Sequence, residues 1–529
     1  MATSRSEAPN GGGVFPQRRP FDRVLIANRG EIALRIIRAC RELGIETVAV
    51  YSDADVAARH VRAADVAVRL GPAPPSESYL RADAIVEAAL ATGAQAIHPG
   101  YGFLAERADF AEAVEEAGLV FVGPSHRAIA SLGDKLAARR TATAAGVPVV
   151  PGTLEPAPID RPDQVAEIVA AAESVGYPLL VKAAAGGGGR GMRRVTSALE
   201  LPAALASGSA EASAAFGAGA VYLEREILPA RHIEVQLLGD RTGHVIALGE
   251  RDCSLQRRHQ KLLEEAPAPG LTPDQRRELH AMAVALAEAG GLTNAATCEF
   301  LHDPTGRSWF LEVNTRLQVE HGVTELVTGV DIVQEQFWLA AGAPLSDRAL
   351  AAAERAAEPG WHAIEVRLSA EDPARAFAPA PGRVGRWVMP EGPGVRVDTA
   401  VEPGDRIPPD YDPLVAKLLV QAADRPAAIA RLRRALDETE IDGIQTTLPF
   451  HRQVARDPSF AAAEISTGWV EEHWDGPAAR VEAALLALRA AALADHEAPA
   501  DPSAGNGHVP DADWRTAGRA DAVDRWPQR

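Results

Sequence analysis

Residues 179–192 read Leu-Leu-Val-Lys-Ala-Ala-Ala-Gly-Gly-Gly-Gly-Arg-Gly-Met, and the fold turns on this stretch. A short apolar run ends at Lys182 and opens onto consecutive glycines at positions 186–189. Bare glycine backbone lets N–H groups wrap phosphate oxygens. Lys182 stands just ahead of them, where an ammonium reaches phosphate. The pattern lacks the closing Gly-Lys-Ser/Thr of a P-loop, and it lacks the helix-opening context of a GxGxxG turn. Taken alone, a glycine run also describes a flexible linker. Set between an apolar strand and Met-Arg-Arg-Val at 192–195, it reads as a flap between two strands of a nucleotide site.

A second signal lies further along. Thr-Cys-Glu-Phe-Leu-His (297–302), Asp-Pro-Thr-Gly (303–306) and Ser-Trp-Phe-Leu-Glu-Val-Asn (308–314) form a β-hairpin by pattern. With the turn centred between Pro304 and Thr305, Glu299 is expected opposite Phe310. Glu312 is then its diagonal neighbour, about 7–8 Å away, and Asn314 lies further along the same face. Trp309, Leu311 and Val313 are expected to face a core. A one-residue slip would undo this arrangement. Two carboxylates and an amide oxygen suit Mg²⁺; an exposed acidic strand face is the alternative. In the next residues Arg316, Gln318 and Glu320 alternate with Leu317 and Val319, so one side of an extended segment is polar. Arg316 can hold a small anion or stabilise an oxyanion. Glu320 can take a proton. A structural Arg–Glu ion pair is the alternative.

The frame around these motifs is globular. A chain of 529 residues with 47% hydrophobic and 24% charged residues has material for about three or four domains. A net charge of −18 argues against gripping a nucleic-acid backbone. Three cysteines make no closed disulfide framework and suggest a reducing compartment. No apolar run approaches the roughly 18 residues of a membrane span, and residues 1–20 hold no apolar signal core. The expectation is a disordered leader (1–19) on a cytoplasmic protein that binds neither membrane nor nucleic acid. Strands at 23–27, 46–51 and 94–98 alternate with helical patterns, which predicts a doubly wound α/β domain over 20–134. Its ligands belong at the strands' carboxyl ends, where His-Pro-Gly-Tyr-Gly (98–102) falls. Residues 135–345 carry the chemistry, with a lid at about 154–226. Short strands and turns, then a helix at 424–438, predict a mixed α/β domain over 355–472. Residues 475–529 read as an Ala-rich helix followed by a disordered tail. The fold class is therefore α/β and α+β multidomain, with no internal repeat.

Lysine occurs only at Lys135, Lys182, Lys261 and Lys417; every other one of the 54 basic residues is arginine. Such a bias keeps lysine where a compact ammonium is needed rather than a planar fork. Lys417 has the weakest case, because it fits a solvated strand edge.

Five segments resemble biotin carboxylase in that family's order: VLIANRGEIALR (24–35), HPGYGFL (98–104), the glycine flap, ERDCSLQRRHQK (250–261) and EVNTRLQVEH (312–321). The resemblance covers about residues 20–472. It implies an ATP-grasp enzyme with an N-terminal α/β domain, an ATP-grasp core with a mobile lid, and a C-terminal domain. Among the families using it, the chain looks closest to α subunits of bacterial acyl-CoA carboxylases. The implied activity is ATP- and bicarbonate-dependent carboxylation of biotin through carboxyphosphate.

Carried over by position, the resemblance implies that Lys135 and Lys182 contact ATP phosphates, with Gly188 and Gly189 in the lid. Glu224, Arg225 and Ile227 lie at the adenine, and His232, Gln256 and His259 flank the nucleotide. Glu299, Glu312 and Asn314 hold Mg²⁺ or Mn²⁺. Lys261, Arg316, Gln318 and Val319 bind bicarbonate, and Glu320 is the base. Arg367 meets biotin. Departures from the family are Ala185 and Arg225, where glycine and lysine are usual, Gly322, where proline is common, and a small insertion at 154–162. None of the four methionines stands in a Met-Lys-Met setting, and no lysine follows Lys417. Biotin is therefore expected as a substrate carried by a separate biotin carboxyl carrier protein. A carboxyltransferase subunit is the second expected partner, and a homodimer follows from the family. The rivals are an ATP-grasp ligase with another acceptor, of carbamoyl-phosphate or purine-pathway type, and an inactive assembly subunit. Acidic and basic groups intact at Lys261, Glu299, Glu312, Arg316 and Glu320 argue against the latter.

Overall fold

The structure, a computed structural model, describes residues 19–157, 165–184, 192–216 and 219–496. Three sheets position the site. The first contains β1 (Arg23–Ile26), β2 (Glu46–Ser52), β3 (Val66–Gly71), β4 (Ala96–His98) and β5 (Val120–Phe121). Its order is β3-β2-β1-β4-β5 and every pairing is parallel. Val24, Leu25 and Ile26 are all buried, as a parallel sheet covered on both faces requires. The strand order reverses beside β1, the usual place for a functional crevice. Asn28 closes it there: its Nδ2 donates to the carbonyls of Pro99 at 2.7 Å and Tyr101 at 2.8 Å.

The second sheet is small and antiparallel, β6 (Leu179–Ala183), β7 (Arg193–Val195) and β8 (Val221–Arg225), in the order β7-β6-β8. The flap expected between two strands falls between β6 and β7. Its glycines, Gly188 and Gly189 included, lie outside the described residues, as do the expected leader, most of the 154–162 insertion and the tail.

The third sheet has eight strands: β9 (Arg231–Gly239), β10 (Val245–Arg257), β11 (Gln260–Ala266), β12 (Asn294–His302), β13 (Ser308–Asn314), β14 (His362–Ser369), β15 (Val395–Thr399) and β16 (Leu414–Ala422). They run antiparallel in the order β13-β12-β9-β10-β11-β14-β16-β15. The pairing of β11 with β14 carries the sheet from residues 231–314 into residues 362–422 without a break. A helix, Gly476–His496, follows. No described helix is long and apolar enough to cross a membrane.

The β12–β13 hairpin forms, but its register corrects the sequence expectation. Glu299 pairs directly with Glu312, and Phe300 pairs with Phe310. Leu311 is the extra residue of a bulge between those pairs. The bulge lets Phe310 and Glu312, two residues apart, face opposite sides of the sheet. Phe310 therefore enters the core, edge-to-face with Phe300 at 6.3 Å between centroids, while Trp309 and Leu311 remain half-buried. Strict alternation, which put Leu311 in the core, had no place for the bulge. Phe310→Ala should cost about 3–5 kcal/mol through the cavity left beside Phe300. The measurement is the thermal unfolding of the nucleotide-free protein; an unshifted transition would place Phe310 outside the core.

Candidate active site

The register of the large sheet brings acid groups side by side. Glu312 on β13 pairs with Glu299 on β12, Glu299 with Glu234 on β9, and Glu234 with Arg251 on β10. Three neighbouring carboxylates in one rung repel one another unless cations separate them. Two cations do so. Arg251, fully buried, donates from Nε to Glu234 at 2.5 Å and from its other nitrogens to Gln236, Thr297 and Thr324. Lys261, from β11, reaches Glu234 at 2.5 Å, Glu299 at 2.8 Å and Glu320 at 2.8 Å.

Glu320 precedes the helix His321–Thr328 and has no exposed surface. One oxygen takes Lys261 and the other takes Arg367 Nη2 at 2.8 Å. Arg367 also donates from Nε to Glu264 at 2.6 Å. Around Glu299, Asn314 Nδ2 donates at 2.8 Å, Gln318 Nε2 at 3.2 Å, and His232 Nε2 lies 3.0 Å from the second oxygen. Arg316 closes this side, donating to Gln318 at 2.7 Å and Asn314 at 3.1 Å, with Glu106 2.9 Å from its Nε.

A second group sits toward the small sheet. Lys135 opens the helix Lys135–Ala144 and meets Glu312 at 2.5 Å. Lys182 pairs with Glu224, whose other oxygen takes the buried Arg139 at 2.8 Å. The Glu224 side chain is thus engaged within the protein, and its backbone pairs with Leu180 and bridges Gly152. Arg225 points its Nε to the Val175 carbonyl at 2.7 Å. Ile227 is half-buried in the segment after β8, and Gln256 is buried on β10, opposite Lys261. His259 occupies the β10–β11 turn with φ +65°. Val319 is half-buried between Gln318 and Glu320. The described residues of the expected site thus form one core around Lys261 and Glu299, a cationic group at Lys135 and Lys182, and a rim at Arg225, Ile227 and His259.

The electrostatics follow from burial opposed by pairing. Burial pushes Glu320 up, but Lys261, Arg367 and Arg251 outweigh it and hold the carboxyl well below the usual range. Burial likewise raises Glu299, and Lys261 and His232 reverse the sign. Burial lowers His232, yet Glu299 raises it above its ordinary value. Glu264 goes the other way: burial takes it up to about 7 in spite of Arg367. The site therefore keeps Glu299 and Glu320 ionised beside a carboxyl poised to hold a proton.

Hard oxygen donors at Glu299, Glu312 and Asn314 fit magnesium. The Glu299–Glu312 pairing sets both acids on one rung, so they can serve one ion or a pair. Among the described residues, His232, Glu234 and Glu299 also bring ligand atoms within 4.8 Å of one another. Sequence reading missed Glu234, Arg251, Glu264, Arg139 and Glu106. For Glu234 a signal existed: His232, Glu234 and Gln236 alternate with Ile233, Val235 and Leu237, a polar face on an otherwise buried strand.

Comparison with known proteins agrees along the chain. The biotin carboxylase N-terminal domain profile matches residues 20–129, and the biotin carboxylase C-terminal domain profile matches 365–472. Between them, 134–348 match the carbamoyl-phosphate synthase L chain ATP-binding domain. Biotin carboxylase of Pseudomonas aeruginosa is 50% identical over 452 residues, 85% of this chain and 98% of that protein. The biotin-dependent acyl-coenzyme A carboxylase alpha3 subunit of Mycobacterium leprae is 48% identical over 457 residues, 86% of this chain and 75% of that one. The biotin carboxylase domain dimer of Hydrogenobacter thermophilus 2-oxoglutarate carboxylase, solved with MgADP, ADP and bicarbonate, superposes with a TM-score of 0.81 at 46% identity. It covers 86% of this chain and 98% of that one. Biotin carboxylase profiles on both sides of the ATP-binding region, and half-identity across nearly the whole of a curated relative, place this chain in the biotin carboxylase family of ATP-dependent ligases.

Proposed function

We propose that the chain catalyses the first half-reaction of an acyl-CoA carboxylase: ATP- and bicarbonate-dependent carboxylation of biotin on a separate biotin carboxyl carrier protein. The observation that carries this reading is Glu320 held between Lys261 and Arg367, with Lys261 shared with Glu299. One ammonium thereby joins a carboxylate of metal-binding chemistry to a candidate base. The Mycobacterium leprae relative's designation supports the acyl-CoA assignment.

In this reading the domains are 20–134, 135–345 and 355–472, and the second and third share the large sheet. ATP lies over Lys135, Lys182, His232, Gln256 and His259, with its adenine against Glu224, Arg225 and Ile227. Gly188 and Gly189 are assigned to the phosphate cover from sequence. When bound with the nucleotide by Glu299, Glu312 and Asn314, Mg²⁺ or Mn²⁺ supplies charge neutralisation at the transferring phosphoryl group. Bicarbonate enters between Lys261, Arg316, Gln318 and the backbone of Val319.

The chemistry then follows from charge. An arriving anion competes with Glu320 for Lys261, which releases the carboxylate to accept a proton from bicarbonate. The nucleophile formed attacks the γ-phosphorus and ADP leaves, giving carboxyphosphate. Lys135, Lys182 and Lys261 offset the charge that accumulates. Carboxyphosphate breaks into CO₂ and phosphate, and the phosphate takes the N1′ proton of biotin. Arg316 stabilises the resulting enolate oxygen and Arg367 holds the phosphate or biotin, while N1′ attacks CO₂. The partners in this reading are the carrier protein, a carboxyltransferase subunit and a second copy of the chain, in the cytoplasm.

Bicarbonate-dependent ATP hydrolysis stimulated by free biotin tests the reading against ATP-grasp ligases with other acceptors. Glu320→Gln should lower that turnover by about 10²-fold or more and leave ATP binding nearly intact; equal loss of both would show that Glu320 has another role. Lys182→Arg keeps the charge but not the compact ammonium. It should lower kcat/KM for ATP at least about tenfold. A fully active arginine variant would undo the argument from the four lysines.

A further inference from the structure

The site described above uses Lys135, Lys182 and Lys261. The fourth lysine is unused by it, and it is buried completely. Lys417 is no strand-edge residue: it lies on β16, between Arg367 of β14 and Asp398 of β15 in one rung of the sheet. Its Nζ donates to the carbonyl oxygen of Val319 at 2.8 Å. Glu31 Oε1 is 3.4 Å away and Asp398 Oδ2 3.7 Å away. Glu31 belongs to the helix Gly30–Glu42 and receives the hydroxyl of Tyr101. Three separate regions of the chain meet at this ammonium, and the peptide it holds follows the residue assigned to bicarbonate.

We infer that Lys417 is a positioning residue for bicarbonate: by gripping the Val319 carbonyl against Glu31 and Asp398, it fixes the backbone of residues 318–320 that receives the anion. This rests on the functional reading above and adds to it the residue that sets the pocket's floor. It also gives a role to the 24–35 and 98–104 segments: Glu31 and Tyr101 anchor the lysine.

The choice of lysine follows from space. An ammonium offers three donors around one atom, which suits acceptors on three sides. A guanidinium is a planar fork and needs a flat, wider slot. Lys417 lies between Arg367 and Asp398 with no exposed surface, in an interior whose close packing disfavours the wider group. The charged groups around Lys417 are Glu31 on the helix, Glu365 and Arg367 on β14, and Asp398 and Arg396 on β15. Burial lowers the lysine's proton affinity, but Glu31, Glu365 and Asp398 outweigh it and keep the ammonium charged.

The test is steady-state bicarbonate-dependent ATP hydrolysis by the full chain with free biotin. Lys417→Met should raise the KM for bicarbonate at least tenfold and leave the KM for ATP within twofold. Lys417→Arg should not rescue it, although the charge is kept. Should Lys417→Met fail to fold, Lys417→Met/Glu31→Gln removes one buried charge of each sign and should show the same selective rise. The proposal is overturned by an unchanged bicarbonate KM in a folded variant, by the two KM values rising together, or by kcat falling with both KM values unchanged. If the wild-type chain hydrolyses ATP without regard to bicarbonate, the functional reading itself fails and takes this proposal with it. A wild type that responds to bicarbonate beside a variant that responds equally well fails the proposal alone.

Discussion

The site depends on one ammonium. Lys261 stands among Glu234, Glu299 and Glu320, each within 2.8 Å, and these acids are all buried. Sheet register forces Glu234 and Glu299 into adjacent positions, and Glu320 arrives from the loop beyond β13. Without the lysine, three desolvated carboxylates would face one another. Breaking a buried charge cluster by removing one partner typically costs about 3–5 kcal/mol. The sequence retains lysine here because a single nitrogen can serve three acceptors at once, a geometry a planar guanidinium does not offer. Arg251 is the second cation beside Glu234, and its other hydrogen bonds go to Gln236 and Thr297 of the sheet and to Thr324 of the helix His321–Thr328.

The nucleotide side obeys the same rule with different partners. Glu224 is paired with Arg139 beneath it and Lys182 above it. Arg139 is fully buried and also donates to the Val150 carbonyl at 2.6 Å. The arginine takes the fully buried place and the lysine the slightly exposed one, where in the proposed reading a compact head can turn toward phosphate. Lys135 stands likewise over Glu312. In each pair an acid holds the head of a lysine in place.

Much of this was legible in the sequence, and what was not has specific causes. The parallel sheet, the hairpin and the polar side of residues 314–320 follow from periodicity and turn chemistry. The hairpin's register did not, because the Leu311 bulge leaves no mark in a pattern of two. Arg251 escaped because it stands between Glu250 and Asp252, a charged run that resembles a surface turn until the sheet is assembled, and Glu234 because the polar face it shares with His232 and Gln236 does not disclose its cross-strand partners. Glu264 pairs across strands with Glu365, a partner about a hundred residues away, so its role could not be local. Lys417 was misjudged for the same reason: its meaning lies in Val319, Glu31 and Asp398, three segments that only the fold brings together.

A difficulty remains in the chemistry, and the charges resolve it. Glu320 is held well below the usual carboxylate range by Lys261, Arg367 and Arg251, so in isolation it is a weak base. One of the cations that weaken the base, Lys261, is also one to which the proposed reading assigns bicarbonate. In that reading, an anion that takes Lys261 and Arg316 removes part of the stabilisation of Glu320 and raises its proton affinity. The same contacts favour the dianion and lower the proton affinity of bicarbonate. Both changes run in the direction of transfer, and neither occurs while the pocket lacks its anion. Glu264, pushed up to about 7 by burial and tied to Glu320 through Arg367, completes the balance. It can hold a proton without adding a further negative charge to the cluster. In the proposed reading the base is thus strengthened by its own substrate.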